Sequence, residues 1–180
     1  MRVISGTARG RRLKEPVGYD VRPTSDMVKE SIFNIIQFDV EGRRVLDLFA
    51  GTGQMGIEAL SRGADLAVFV DSKPDSVKLI RENIKHCEFE DSVQVLSRDA
   101  LRYLEGDEKF DLIFVDPPYK LGFIEKVLTK ITEVDKLNTN GIIICEMETE
   151  GLVPEVSPPY ALKKEYKYGK VKILRYERSG

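Results

Sequence analysis

The chain has 180 residues, a formal net charge of -2, 32% charged and 42% hydrophobic residues, the make-up of one globular domain with a full core. Its two cysteines, Cys87 and Cys145, and its single histidine, His86, exclude a disulfide framework, a zinc cluster and a Cys–His pair. No apolar signal-peptide core and no bilayer-length run is present, so a cytoplasmic protein with no membrane and no metal partner is expected.

The first segment is basic. Arg2, Arg9, Arg11, Arg12 and Lys14 occur before any acid, in a glycine-containing stretch that reads as a hairpin or loop. Arg22-Pro23-Thr24-Ser25 then leads into a helix, with Thr24 or Ser25 as its cap and Val28, Ile32, Ile35 and Ile36 as its apolar stripe. After Gly42 strands and helices alternate. Strands are expected at 44–49, 66–70, 92–96, 110–115 and 141–145, and helices at 54–61, 74–85, 101–104 and 123–132. Leu112-Ile113-Phe114-Val115 and Ile142-Ile143-Ile144 are continuous apolar runs, as in strands buried on both faces. The fold class is therefore α/β, a mostly parallel doubly wound sheet. Segments 161–166 and 170–176 alternate polar and apolar residues with no helix between them, so an antiparallel pair closes one edge.

The turn Gly51-Thr52-Gly53-Gln54-Met55-Gly56 matches G-x-G-x-x-G, and Asp71 ends the next strand about 20 residues on, as a ribose-binding acid does. That spacing permits a nicotinamide dinucleotide, and with it an oxidoreductase. Asp47 argues otherwise. A carboxylate just before the turn repels a pyrophosphate and suits a cationic ligand, and S-adenosylmethionine (SAM) carries an ammonium beside a sulfonium. Asp47 as a brace of the turn, and Asp71 as a cap for the helix at Pro74, are the structural alternatives. Asp99-Ala100 closes the third strand on the same carboxyl edge. Asp99 there either accepts from an adenine amine or caps the following helix.

Asp116-Pro117-Pro118-Tyr119 closes the fourth strand. An exocyclic base amine is a poor nucleophile because its lone pair is delocalised. Acceptors holding its two hydrogens, the Asp116 carboxyl and the Pro117 carbonyl, turn that lone pair outward. The prolines stiffen the turn, and Tyr119 offers a ring for stacking an extruded base. A carbon-methylating mechanism needs a cysteine nucleophile, and Cys87 and Cys145 lie away from this edge. Methylation of a base amine is the reading these residues carry. The basic N-terminus suits phosphate contact, with a solvated tail as its alternative.

The sequence resembles the RsmD-type bacterial methyltransferases of small-subunit (16S) ribosomal RNA. The likeness covers most of the chain. It runs through Arg2-Val3-Ile4-Ser5-Gly6, Arg9-Gly10-Arg11-Arg12-Leu13, Arg22-Pro23-Thr24-Ser25-Asp26 and Glu30-Ser31-Ile32-Phe33-Asn34. It continues through Asp47-Leu48-Phe49-Ala50-Gly51-Thr52-Gly53, Glu58-Ala59-Leu60-Ser61-Arg62-Gly63-Ala64 and Asp116-Pro117-Pro118-Tyr119. The glycine turn and Asp-Pro-Pro-Tyr are common to many amino-methyltransferases; the N-terminal arginine segments narrow the likeness to this family. The resemblance implies a Rossmann-like class I SAM-dependent methyltransferase that acts on a guanine N2 amine. Residues 1–23 are then an RNA-holding extension and 24–180 the catalytic core of a single domain.

The expected catalytic residues are Asp116, Pro117 and Tyr119. SAM is expected on Asp47, Phe49, Gly51, Gly53, Asp71, Asp99 and Ala100, and RNA on Arg9, Arg11, Arg12, Lys14 and Arg22. Ribosomal RNA or a small ribosomal subunit is the expected partner, and the chain is expected to be a monomer. Methylation of adenine N6 or of a protein amide, and a non-catalytic RNA-binding role, are the competing readings.

Overall fold

A computed structural model describes residues 1–18, 24–118 and 122–180. Helix α1 (Asp26–Ile35) starts where Ser25 Oγ accepts from Val28 N at 3.2 Å. Strand β1 (Arg44–Leu48) runs through the glycine turn into α2 (Gln54–Ser61), then β2 (Leu66–Asp71) and α3 (Pro74–His86), whose proline sits in the first turn. Next come β3 (Val93–Ser97), α4 (Ala100–Tyr103), β4 (Phe110–Val115), α5 (Phe123–Glu133) and β5 (Leu137–Glu148). Strands β6 (Tyr160–Tyr168) and β7 (Val171–Arg178) end the chain.

The strands form one sheet in the order β3-β2-β1-β4-β5-β7-β6. β1 to β5 are parallel, whereas β7 runs antiparallel to β5 and β6 antiparallel to β7. The expected α/β class and antiparallel closing pair are both present. The winding direction reverses between β1 and β4, so the carboxyl ends of these strands flank the crevice where such sheets bind ligands. One face of the sheet is covered by the N-terminal segment, α1, α2 and α3, the other by α4 and α5.

Two boundaries differ from expectation for identifiable reasons. β5 begins four residues before the apolar run, because Leu137-Asn138-Thr139-Asn140 carries no strand signal and its register against β4 shifts between Phe110 and Leu112. Asn138 Nδ2 reaches Asp111 Oδ1 at 3.0 Å there, so polar contacts hold this end. β6 also starts early, and a register shift between Leu162 and Lys164 interrupts its alternation.

The N-terminal segment is not a solvated tail. A single bridge between Arg2 and Arg12 closes a narrow hairpin, and Val3, Ala8 and Leu13 are buried with α1, α2 and α3. Glu58, fully buried on α2, accepts from Ile4 N at 2.8 Å, Ser5 N at 3.0 Å and Arg62 Nε at 2.9 Å. Ser61 takes Thr7 N on its carbonyl and Ala8 N on its hydroxyl. Gly6 passes so close, at φ +90°, that a Cβ would lie 1.8 Å from Ser61 O. Lys29 is buried against Glu58 at 3.7 Å and donates to Arg2 O at 2.6 Å; burial pushes its pKa down, and Glu58 and Asp26 pull it back up.

Glu58→Ala removes the acceptor of two backbone amides and leaves Lys29 buried without its inward counter-charge. The expected loss of stability is about 3–5 kcal/mol, read from urea unfolding monitored by circular dichroism. A loss below about 1 kcal/mol would show that the N-terminal hairpin rests on apolar packing alone.

Candidate active site

The glycine turn is built from backbone conformations that leave room above it. Phe49 takes φ 65°, Gly51 60° and Gly53 82°. A left-handed conformation is strained for a bulky aromatic residue, and here it swings Phe49 out of β1 to meet Phe123 edge-on at 5.5 Å. A Cβ on Gly51 would meet nothing within 4 Å, so open space lies over the turn, whereas one on Gly56 would sit 2.4 Å from Phe69. The last glycine of the motif thus serves close packing of α2 on β2.

Three acids stand at or just beyond the carboxyl ends of β1, β2 and β3. Asp47 is buried and accepts from Gly56 N at 3.0 Å, so it does brace the turn. Burial pushes its pKa up to about 8, against the Gly56 hydrogen bond and with help from the charge of Asp71. Asp71 accepts from Gly51 N and Lys73 N, both at 2.9 Å, holding the turn and the entry to α3. Asp99 is exposed and caps α4 by accepting from Arg102 N at 3.1 Å, with Ala100 buried behind it. The structural alternatives for Asp47 and Asp99 are therefore realised, whereas Asp71 holds the turn and Lys73 without capping α3, whose N-cap Lys73 makes no side-chain cap bond; each acid still stands on the carboxyl edge.

Asp116 follows β4 directly. Its Oδ2 lies 3.2 Å from Thr24 Oγ1, and the same hydroxyl lies 2.8 Å from Glu146 Oε2 on β5. Thr24 and Glu146 are buried, and Pro117 is buried beside them. Burial and then the neighbouring charge of Glu146 hold the Asp116 carboxyl well above the usual range. Burial also raises Glu146, opposed by its hydrogen bonds to Thr24 and Asp116. One hydroxyl proton cannot be fully donated to two carboxylates, so this arrangement favours a pair that keeps a proton, held mainly on Asp116.

Glu146 and Thr24 were not singled out from the sequence as functional. Glu146 repeats the pattern that marked Asp116, an acid at the end of an apolar run, and that signal was available. Gln54 was missed as well. Its Nε2 donates to Thr24 O at 3.0 Å, and its Oε1 is the one buried side-chain polar atom without a hydrogen-bond partner among the described residues. Asn83 ties the turn to α3 by donating to Thr52 O at 3.0 Å and to Lys14 O at 3.1 Å.

Arg22 and Tyr119 lie outside the described residues. The remaining proposed RNA contacts are not gathered at this site. Arg11 donates to His86 O at 2.6 Å and pairs with Glu88 at 2.9 Å, while Lys14 pairs with Glu82 at 3.1 Å. The loop of the hairpin, with exposed Arg9 beside it, packs through Thr7 and Ala8 on Ser61 at the C-terminal end of α2, whereas exposed Arg12 lies at the open end of the hairpin, bridged to Arg2. Arg11 and Lys14 are drawn to the C-terminal part of α3 and its exit by a helix-end carbonyl and the acids beside it. No group of acids, cysteines and histidines suited to a metal ion occurs among the described residues, and no helix there is long and apolar enough to cross a membrane.

Fold and site together define a Rossmann-like methyltransferase: a glycine turn after β1, acids ending β1 to β4, and Asp-Pro-Pro at the switch point. The chain belongs to the family described as conserved hypothetical protein 95, whose model matches residues 1–177. It is 41% identical over 184 residues to the putative rRNA methyltransferase YlbH of Bacillus subtilis, covering 100% of both chains. It is 30% identical to the ribosomal RNA small subunit methyltransferase D of Escherichia coli, covering 99% of this chain and 90% of that one. Among solved structures, the putative methyltransferase yhhF from Escherichia coli superposes with a TM-score of 0.90 at 28% identity, over 100% of this chain and 98% of that one. The resemblance read from the sequence is borne out.

The raised pKa of Asp47 predicts how a cationic ligand binds. A cationic ligand that pairs with the ionised Asp47 carboxylate must expel a proton when it binds below about pH 8. Affinity for SAM is expected to rise from pH 6 towards pH 8, by up to about tenfold per pH unit, and to level off above. Calorimetry in buffers of different ionisation enthalpy reads the proton release directly. Asp47→Asn should weaken binding and flatten the pH dependence; a pH-independent wild-type affinity would remove the charge pairing.

Proposed function

We propose that this chain is a SAM-dependent methyltransferase that acts on ribosomal RNA in the cytoplasm, as a monomer, and methylates the exocyclic N2 amine of a guanine in 16S RNA. The observation that carries this reading is the placement of Asp116 and Pro117 at the switch point, on the edge that holds the glycine turn. The names of the relatives support the RNA substrate, since two of them are described as rRNA methyltransferases.

The residues present fit the methyl donor. Open space lies over Gly51, and Asp47 is a buried carboxyl that regains its charge beside a cation. The unpartnered Gln54 Oε1 opens α2 immediately after the turn. Asp47 and Gln54 would hold the amino acid end, Asp71 the ribose and Asp99 the adenine, with Phe49, Gly53 and Ala100 lining the site. When bound, SAM supplies an already activated methyl group. What remains for the protein is alignment, exclusion of water and handling of one proton.

Asp116 and the Pro117 carbonyl accept the two hydrogens of the target amine, and the lone pair is left pointing out of the base plane. Once methylated, that nitrogen carries one proton too many. Asp116 receives it on the oxygen facing the amine and passes its own proton to Glu146, to which it is already hydrogen-bonded. Thr24 keeps the two carboxyls in register. Tyr119 is proposed to stack the extruded base, and Arg22, Arg9 and Arg12 to meet the RNA backbone further out. Arg11 and Lys14 would first have to leave their acidic partners.

Asp116→Ala should abolish methyl transfer with SAM affinity within about threefold of wild type. Glu146→Gln should lower kcat by roughly 10²-fold and move the pH–rate profile, because the proton's destination is lost. The function itself is tested by mapping methylated nucleosides in ribosomal RNA from a deletion strain. Loss of one N2-methylguanosine, restored by wild type and not by Asp116→Ala, is the expected result. Loss of an N6-methyladenosine, or of a methylated protein amide, would establish a competing substrate. An unchanged methylation map together with tight NADH binding would overturn the reading altogether.

A further inference from the structure

Arg11 and Lys14 of the hairpin are paired with Glu88 and Glu82, and Arg9 lies beside the C-terminal end of α2, so a further surface for the substrate is sought elsewhere. Strand register points to the far edge strand. Cys145 pairs with Val115, Glu146 pairs with Ile173, and Ile173 pairs with Tyr166. Asp116, Glu146, Ile173 and Tyr166 thus lie in one row across the sheet. Tyr168 is in the next row towards the carboxyl edge, level with Val171 and Glu148. Residues paired directly across strands point to the same face. Tyr166 and Tyr168 pack on the α1 side, the side from which Thr24 reaches Asp116 and Glu146. With strands about 4.8 Å apart, Tyr166 stands roughly 14 Å from β4 along this row.

A bulge sets that orientation. Leu162 pairs with Tyr176, which belongs to the opposite face, and after one extra residue Lys164 pairs with Arg175. Without the bulge, Tyr166 and Tyr168 would point to the α5 side. The two rings are half-buried, two residues apart on one strand and so about 6.7 Å from each other along it. Lys164 Nζ lies 4.9 Å from the centre of the Tyr166 ring. Lys163, Lys164, Lys167 and Lys170 are exposed, and the only acid within this stretch, Glu165, is paired with Lys172 at 3.4 Å. Lysines alone would keep an edge strand from pairing with another chain. Edge protection does not call for two partly open aromatic rings turned to the catalytic face.

We propose that β6 and its turn into β7 form a platform for single-stranded RNA, on which Tyr166 and Tyr168 stack bases a few nucleotides from the target while Lys164, on the same face, and Lys170, in the turn, hold their phosphates. The proposal rests on the reading of the substrate as RNA. Rings spaced along a strand accept bases of any identity, and lysines beside them follow the backbone.

The test uses the full-length protein and small ribosomal subunits, or free 16S RNA, from a strain lacking the enzyme. Tyr166→Leu with Tyr168→Leu keeps apolar cover over the core and removes the rings. RNA affinity is expected to fall at least tenfold and KM for RNA to rise alongside, while SAM affinity stays at the wild-type value. The double Phe variant should retain RNA binding. Lys164→Ala and Lys170→Ala, both at exposed positions, should each reduce the log–log salt slope by about 0.7. Wild-type RNA affinity and KM in the double Leu variant, or an unchanged slope in both lysine variants, would overturn the platform. A wild-type protein that methylates neither subunits nor RNA would overturn the substrate reading instead, so the two failures are distinguishable.

Discussion

A single hydroxyl, Thr24 Oγ1, stands between the carboxyl groups of Asp116 and Glu146, and the geometry of the catalytic edge depends on it. Two buried acids at the ends of adjacent strands repel each other if both ionise, and neither is well solvated. A bridging hydroxyl together with a retained proton resolves both problems. Three separate parts of the chain, the entry to α1, the end of β4 and the end of β5, are thereby fixed against one another. Gln54 extends the arrangement to α2 by holding the Thr24 carbonyl, so the glycine turn and the Asp116–Glu146 pair share one support.

That support needs α1 to be anchored, and the N-terminal hairpin supplies the anchor. Lys29 on α1 and Glu58 on α2 meet over the backbone of Arg2, Ile4 and Ser5. A carboxylate that accepts from backbone amides while facing an ammonium is far better satisfied than a bare buried ion pair. Two of the cations of the first residues, Arg11 and Lys14, are taken up by the end of α3 and the acids beside it, while Arg9 and Arg12 stay exposed. Positive charge in a sequence marks an anion-binding surface only where the fold leaves that charge unpaired.

Much of the fold was legible because its signals are local. Apolar runs gave the parallel strands, and the Gly51 to Gly56 turn and the acid after Val115 gave the catalytic edge. The features that escaped are set by register and by long-range partners. The early start of β5 is hidden in Asn138-Thr139-Asn140, which reads as a loop until Asp111 is placed beside it. The orientation of Tyr166 depends on one bulged residue, and no alternation count along the strand reveals a bulge. Glu146 is the instructive omission. It sits on the same kind of strand end as Asp116, but no familiar motif drew attention to it, and its meaning appears only when β4 and β5 are side by side. The pairing of Arg11 with Glu88 and of Lys14 with Glu82 joins the hairpin to the last turns of α3 and the residues after it, and has no local signature either.

The acids collected at the carboxyl edge also constrain how a polyanion can approach. Asp47, Asp71, Asp99, Asp116 and Glu146 would repel phosphates drawn close to the pocket, even with protons retained on the buried members. A base, in contrast, brings an amine donor and no charge. The electrostatic design therefore separates the two tasks. On the proposed function, the backbone of the nucleic acid would be held at a distance by peripheral cations, and one unstacked base would cross the gap to the acids. A duplex lying on the edge would place its phosphates against the carboxylates, whereas an exposed loop or junction lets the target base reach inward while its neighbours stay outside. The proposed platform, about 14 Å from β4, would be at a suitable remove for that division, and the structure of the RNA, more than its local sequence, would then be the property selected.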